Sequence, residues 1–227
     1  MEQVFREVCQ VPVDDDGRVF DLESIELTEI REQRDYGGTR VALTVFLGKA
    51  RVPVQIDVGF GDAVTPGVEE IEFGGLLGFP PARVRAYPRE TVVAEKLEAV
   101  VSLGMLNSRM KDFYDLYQLS REFSFDGRVL SRAISATFRR RGTAVPAQLP
   151  VALSSEFCES REKQAQWAGF ARKLQLSGGE VGLAEACTHL ERFVMPLLRA
   201  AAQGASFEDA WAPGGPWSSE SEVHNRM

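Results

Sequence analysis

A carboxylate interrupts the apolar run Val54-Gln55-Ile56-Asp57-Val58-Gly59. Aspartate is disfavoured in strands, which leaves two readings of Asp57. It is an outward-facing acid on a half-exposed strand, or a carboxylate held rigidly enough to ligate a hard cation such as Mg²⁺. Asp62 follows Gly59 and Gly61 and belongs to a turn. Lys96 stands among acids in Ala94-Glu95-Lys96-Leu97-Glu98-Ala99. A solvated helix face accounts for it, and so does a point charge for a nucleotide phosphate. In Asn107-Ser108-Arg109-Met110-Lys111-Asp112-Phe113-Tyr114-Asp115-Leu116-Tyr117, Asp112 and Asp115 share one helix face, with Arg109 a turn earlier. A surface charge network fits that pattern. Paired working carboxylates fit it too, because acids beside Phe113 and Tyr114 are costly if partly buried and unpaired.

These side chains need elements to hold them. Period-two alternation with β-branched residues predicts strands over 24–30, 40–47 and 51–58. The third sets Val52, Val54, Ile56 and Val58 on one face, and Pro53, Gln55 and Asp57 on the other. Asp35-Tyr36-Gly37-Gly38 and Gly48-Lys49 supply hairpin turns, giving a three-stranded antiparallel meander whose apolar face needs helices. Residues 2–9 read as a helix. A Gly- and Pro-rich connection follows, with a short strand at 70–73. Pro88, Glu90 and Gly104 delimit a helix with Val93, Leu97, Val100 and Val101 on one stripe. A second begins after Asn107 or Ser108. Further helices are predicted over 129–138, 156–174, 182–202 and 207–211, Pro196 kinking or splitting the third. From Pro213 the tail has little to bury. A sheet followed by helices is α+β organisation.

The chain has 227 residues, 44% hydrophobic and 26% charged, which is ordinary for a globular protein and excludes disorder throughout. No apolar run reaches the roughly 18–20 residues of a membrane span, and MEQVFREVCQ lacks the pattern of a signal peptide. The net charge of −7 argues against a broad nucleic-acid-coating surface. A local basic groove at Arg139, Arg140 and Arg141 is compatible with it, as is a solvated helix end. Cys9, Cys158 and Cys187 are odd in number and widely spaced, which suits reduced thiols in a cytoplasm and gives no zinc pattern. With only His189 and His224, histidine-centred catalysis is not expected.

The run Tyr87-Pro88-Arg89-Glu90-Thr91-Val92-Val93-Ala94-Glu95-Lys96-Leu97-Glu98-Ala99, followed by Arg109-Met110-Lys111-Asp112-Phe113-Tyr114-Asp115-Leu116, resembles the AbiEii/AbiGii toxin family. The resemblance spans residues 1–210 and is concentrated in 50–120. It implies an α+β fold of polymerase-β-like nucleotidyltransferase type. Residues 1–85 would form a partial sheet domain, 86–212 a helical domain completing the active site, and 213–227 a disordered tail. It implies catalytic roles for Asp57, Lys96 and Asp112, with Asp57 also a metal ligand. Lys96, Arg109, Lys111 and Asp115 would contact the nucleotide. The reaction implied is transfer of a nucleoside monophosphate from an NTP to an acceptor hydroxyl, with Mg²⁺ as cofactor. The resemblance points to RNA, including tRNA, as an acceptor and leaves protein and small-molecule acceptors open; a cognate antitoxin is the implied partner and the cytoplasm the implied location.

Such enzymes carry a Gly-Gly or Gly-Ser turn and then an Asp-x-Asp pair before the third carboxylate. Asp14-Asp15-Asp16 follows no glycine pair, and Gly37-Gly38 leads to no Asp-x-Asp. The motif's place falls before Met1. The expectation is an N-terminally truncated chain that binds catalytic metals poorly and is inactive as it stands. The alternative is a non-catalytic remnant that binds nucleotide or a protein partner such as an antitoxin. In an extended chain carrying the pair, Asp57→Ala and Lys96→Ala are each expected to abolish nucleotide transfer with the fold intact.

Overall fold

The computed structural model describes residues 1–13, 15–31, 37–76, 78–174 and 181–219. Asp14 and Asp35-Tyr36, singled out above, lie outside them. Two compact units are present, Met1–Asp62 and Ala63–Met227.

In the first unit, helix α1 (Glu2–Cys9) precedes strands β1 (Arg18–Arg31), β2 (Gly37–Leu47) and β3 (Ala50–Gly59). The strands form an antiparallel sheet in the order β1-β2-β3. The meander is the one the alternation predicts, but β1 starts at Arg18 rather than 24. Its register with β2 shifts between Asp21 and Glu26. Ser24 bridges the break: its hydroxyl donates to the Asp21 carbonyl (2.6 Å) and accepts from the Thr44 N–H (2.8 Å). Such a bulge resets the in–out phase, so no single alternation runs through the strand. Ile25, Val41, Leu43 and Val45 are buried, with Phe5 and Cys9 of α1 packed against them. On β3, Val52 and Ile56 remain exposed. Pro53 is accommodated because β3 pairs on one side only among the described residues.

The second unit opens with the ribbon β4 (Glu69–Phe73) and β5 (Ala82–Ala86). β5 escapes the sequence because Ala82-Arg83-Val84-Arg85-Ala86 contains one strong strand former. There follow α2 (Arg89–Leu103), α3 (Met110–Glu122), β6 (Phe125–Asp126), α4 (Gly127–Arg140), α5 (Ser155–Cys158), α6 (Arg161–Lys173), α7 (Leu183–Ala202), β7 (Ala210–Trp211) and β8 (Trp217–Ser218). The helix expected over 156–174 is broken before α6, where the Ser160 hydroxyl caps a new start by accepting from the Lys163 N–H. Conversely, α7 runs unbroken through Pro196. Burial of Phe193, Val194, Met195, Leu197 and Leu198 outweighs the roughly 3 kcal/mol a mid-helix proline costs.

The expected helix at 207–211 is instead strand β7, pairing with β6 and β8. The tail expectation changes with it, since residues up to 219 are ordered; the rest of the tail lies outside the described residues. The Trp217 indole N–H donates to the Phe193 carbonyl (2.8 Å), and its ring stacks on Phe193 at 5.8 Å. Large aromatic area gives this stretch something to bury despite its Gly, Ser and Pro. Gly215 permits the approach: a Cβ there would lie 2.4 Å from the Trp211 ring, and its φ is +76°.

The cysteines also depart from expectation. Cys158 and Cys187, buried and 29 residues apart, are bridged, leaving Cys9 as a free thiol. The packing of α5 on α7 joins positions whose spacing gave no sign of pairing. Thiol titration in denaturant without reductant is expected to find one reactive thiol, and three after reduction. Closing a loop of this length contributes about 3–4 kcal/mol in the chain-entropy model.

His189 lies edge-on to Tyr117 and Trp211, with Nε2 2.9 Å from the Ser120 hydroxyl. That hydroxyl donates to the Tyr117 carbonyl (2.7 Å), so it accepts from His189 Nε2. Burial pushes the His189 pKa below its ordinary 6.5, and the charges of Arg121 and Arg192 act in the same sense against Glu185. As pH falls, the unfolded chain takes up the proton first. Stability is therefore fully present above about pH 6.5 and is lost as pH falls from there to the lower folded value. Urea midpoints at pH 7.5 and 5 should show this loss in the wild type and a smaller one in His189→Gln.

No helix among the described residues is long and apolar enough to cross a membrane.

Candidate active site

Two helix beginnings build the site in the second unit. Pro88 is the N-cap of α2. One turn in, the fully buried Thr91 hydroxyl accepts from the Thr65 N–H and donates to the Thr65 carbonyl, both at 2.9 Å. α2 ends at Gly104, whose φ of +51° favours glycine. Before α3, Asn107 Oδ1 accepts from the Arg109 N–H at 2.8 Å, but the N-cap is Arg109 rather than the expected Asn107 or Ser108, and α3 starts at Met110. The Asn107 carbonyl accepts from the Nζ of buried Lys163 at 3.0 Å. α6 thereby fixes the loop that aims α3.

Met110, Phe113 and Leu116 of α3 enter the core with Val93, Leu97 and Val100 of α2. Asp112 and Asp115, next to that stripe, then meet Lys96. Its Nζ lies 2.7 Å from Asp112 Oδ1 and 2.7 Å from Asp115 Oδ2. The Lys111 Nζ reaches Asp115 from the solvent side at 2.5 Å. Lys96, Asp112 and Asp115 keep 20%, 16% and 22% of their side-chain surface, so the cluster is half-sheltered yet open to a ligand. Burial opposes the Lys96 charge, but the hydrogen bonds and charges of Asp112 and Asp115 outweigh it and hold the pKa above the ordinary lysine value. Lys96 is a permanent cation on a fixed mount. Arg109 caps α3 and, with Lys111 and Asp112, borders a neighbouring depression.

Asp57 lies in the first unit, on β3. Arg40 grips both of its oxygens, Nε to Oδ1 at 2.7 Å and Nη2 to Oδ2 at 2.8 Å, and Gln55 approaches at 3.3 Å. Hydrogen bonding to Arg40 lowers the Asp57 pKa. A carboxylate closed by a guanidinium does not fit the metal-ligand role expected of it. Among the described residues, no group of three His, Cys, Asp or Glu is arranged for a metal, and between Asp112 and Asp115 the cationic place is taken by Lys96. Arg40 was missed as a partner, although the signal was present. The tight turn pairs Leu47 with Ala50, and the same register sets Arg40 opposite Asp57.

Arg139 and Arg140 end α4, and Arg141 follows as its C-cap. Arg141 turns back onto α2, where Nη1 donates to Glu98 at 2.9 Å and Nη2 lies 3.9 Å from Glu95. Thr143 donates its hydroxyl to the other Glu98 oxygen at 2.5 Å. Glu98, buried within an acid-rich helix segment, gave no sign of that role in sequence.

Compared with known families, residues 1–195 match the nucleotidyl transferase AbiEii toxin of type IV toxin–antitoxin systems. The chain belongs to this family. It is thus a nucleotidyltransferase-like toxin component of a type IV toxin–antitoxin system. No curated protein and no solved structure matches it. The family match runs through both units and into α7, and it contains every residue of the Lys96 cluster.

Proposed function

We infer that the cluster of Lys96, Asp112 and Asp115 is the nucleotide-handling site of a transferase that moves a nucleoside monophosphate from an NTP to an acceptor hydroxyl. One observation carries the reading: a lysine and two acids from separate sequence motifs converge at 2.7 Å in a half-sheltered position. Two of the ammonium's three N–H donors meet the aspartates, and the third serves a phosphate oxygen of the triphosphate. Asp112 and Asp115 hold the ammonium in place before the nucleotide arrives, so little side-chain freedom is lost on binding. Lys111 and Arg109 add positive charge for the remaining phosphates. Mg²⁺ belongs to the family's chemistry, but Asp57 as paired with Arg40 does not fit as its ligand, and no step here is assigned to it. RNA, including tRNA, is the acceptor class this reading favours, and the cytoplasm is where both substrates are found.

Calorimetry of the whole chain with each NTP tests the reading. Binding that Lys96→Ala removes supports it; binding indifferent to Lys96 sinks it.

A second reading, binding of the cognate antitoxin without catalysis, is favoured by the β4–β5 ribbon. Phe73, Leu76 and Phe79 there are 68%, 80% and 49% exposed. Loss of antitoxin binding in Phe73→Ser with NTP binding retained is the outcome this reading requires.

A further inference from the structure

Asp112 also borders a depression of about 400 Å³ that the Lys96 cluster leaves unused. Arg109 and Lys111 lie along it at the start of α3, and Gln166 and Phe170 of α6 form the opposite wall. Each wall residue is fixed by its neighbours. Tyr114 meets the Phe170 ring edge-on at 5.6 Å, and Trp167 packs on it at 5.7 Å. The Gln166 amide donates from Nε2 to Glu162 at 2.9 Å. This sets Gln166 Oε1 as a buried acceptor that meets no donor among the described residues, a costly arrangement unless a donor arrives from elsewhere.

An immobilised aromatic ring, an acceptor awaiting an N–H, and two cations along the rim are the components of a slot for a planar, donor-bearing ring attached to phosphate. We propose that this depression receives a nucleotide base. Phe170 provides the stacking surface, Gln166 Oε1 accepts from an exocyclic amino or ring N–H group, and Arg109 and Lys111 face the attached phosphate. The proposal rests on reading the Lys96 cluster as nucleotide-handling, since Asp112 is common to both. The base can come from the incoming NTP or from the acceptor RNA, and the two sources separate by titration.

The full chain, Phe170→Leu, Gln166→Ala and Lys96→Ala are titrated with each NTP and with a short single-stranded RNA bearing a free 3′ hydroxyl, beside urea midpoints. Phe170→Leu and Gln166→Ala are each expected to weaken one of the two ligands by roughly tenfold. Weakened NTP assigns the slot to the incoming nucleotide, and weakened RNA assigns it to the acceptor. Gln166→Ala retains the aromatic packing, so the test stands even if Phe170→Leu is poorly folded. Wild-type affinity of Gln166→Ala and folded Phe170→Leu for both ligands overturns the slot. The function proposed above survives that result if Lys96→Ala still loses NTP. Slot-dependent NTP binding that persists in Lys96→Ala has the opposite meaning, keeping the slot and removing the Lys96 reading. A wild type that binds neither ligand overturns both.

Discussion

Lys96→Ala is expected to weaken NTP binding by roughly ten- to a hundredfold, the range for a lost hydrogen bond to a charged group. It is also expected to abolish any transfer the chain performs. The effect has two parts. The phosphate loses its fixed ammonium, and Asp112 and Asp115, each 2.7 Å from that ammonium in the wild type, are left facing one another. The second part destabilises the junction of α2 and α3 whether or not a nucleotide binds. It also carries a pH sign. The raised pKa of Lys96 means that its contribution is fully present below the ordinary lysine value of about 10.4 and is lost as pH rises through the folded value. Two further variants separate binding from stability. Lys96→Arg keeps the charge but replaces a compact ammonium with a planar fork, so it should retain the urea midpoint and lose most NTP affinity. Lys96→Met combined with Asp112→Asn and Asp115→Asn removes the charges together, and should recover stability without recovering binding. Full NTP affinity in that triple variant would leave the cluster with a structural role only.

Glu98→Ala carries the largest expected cost in stability. Glu98 keeps 5% of its side-chain surface and ties α2 to the end of α4 through Arg141, with Thr143 on its second oxygen. Removing one partner of a buried pair typically costs 3–5 kcal/mol, because the remaining charge is stranded. Arg141 retains 23% of its surface and regains some water, which puts the expected loss near the lower figure, about 3 kcal/mol. Against the roughly 5–15 kcal/mol that stabilises a folded domain, this is a large share, visible as a shift in the urea midpoint. Glu98→Gln keeps an acceptor for Thr143 and should lose less. Replacing Arg141 by Met in the Glu98→Ala background should restore part of the loss. A midpoint within 0.5 kcal/mol of wild type for Glu98→Ala would show that the pair is solvated in solution.

Local pattern carried the meander, the two site helices and the pairing of acids along α3. Each depends on interactions within a few residues: alternation along a strand, a proline or asparagine at a helix start, a glycine at its end, and side chains one turn apart. The family resemblance rested on the same two helices, since their motifs lie on consecutive elements. What only the tertiary structure decided involves partners far apart in the chain. Lys96 gave no local sign of preferring a phosphate to water, and its ammonium is fixed by acids 16 residues away or more. Arg141 and Thr143 reach back more than 40 residues to Glu98, so Arg141, read from sequence as part of a basic groove or of a solvated helix end, ties α4 to α2. Trp211 and Trp217 order a stretch whose composition suggested a loose tail, because the surface they bury belongs to α3 and α7. Asp57 stands between these cases. Its strand and turn were legible and so was the register that pairs it with Arg40, yet an apolar setting drew attention to the acid rather than to the residue opposite. Sequence periodicity reports which face of an element is apolar. Which charge meets which across two elements depends on their packing, and that packing decides whether an acid, a lysine or an arginine is available for chemistry.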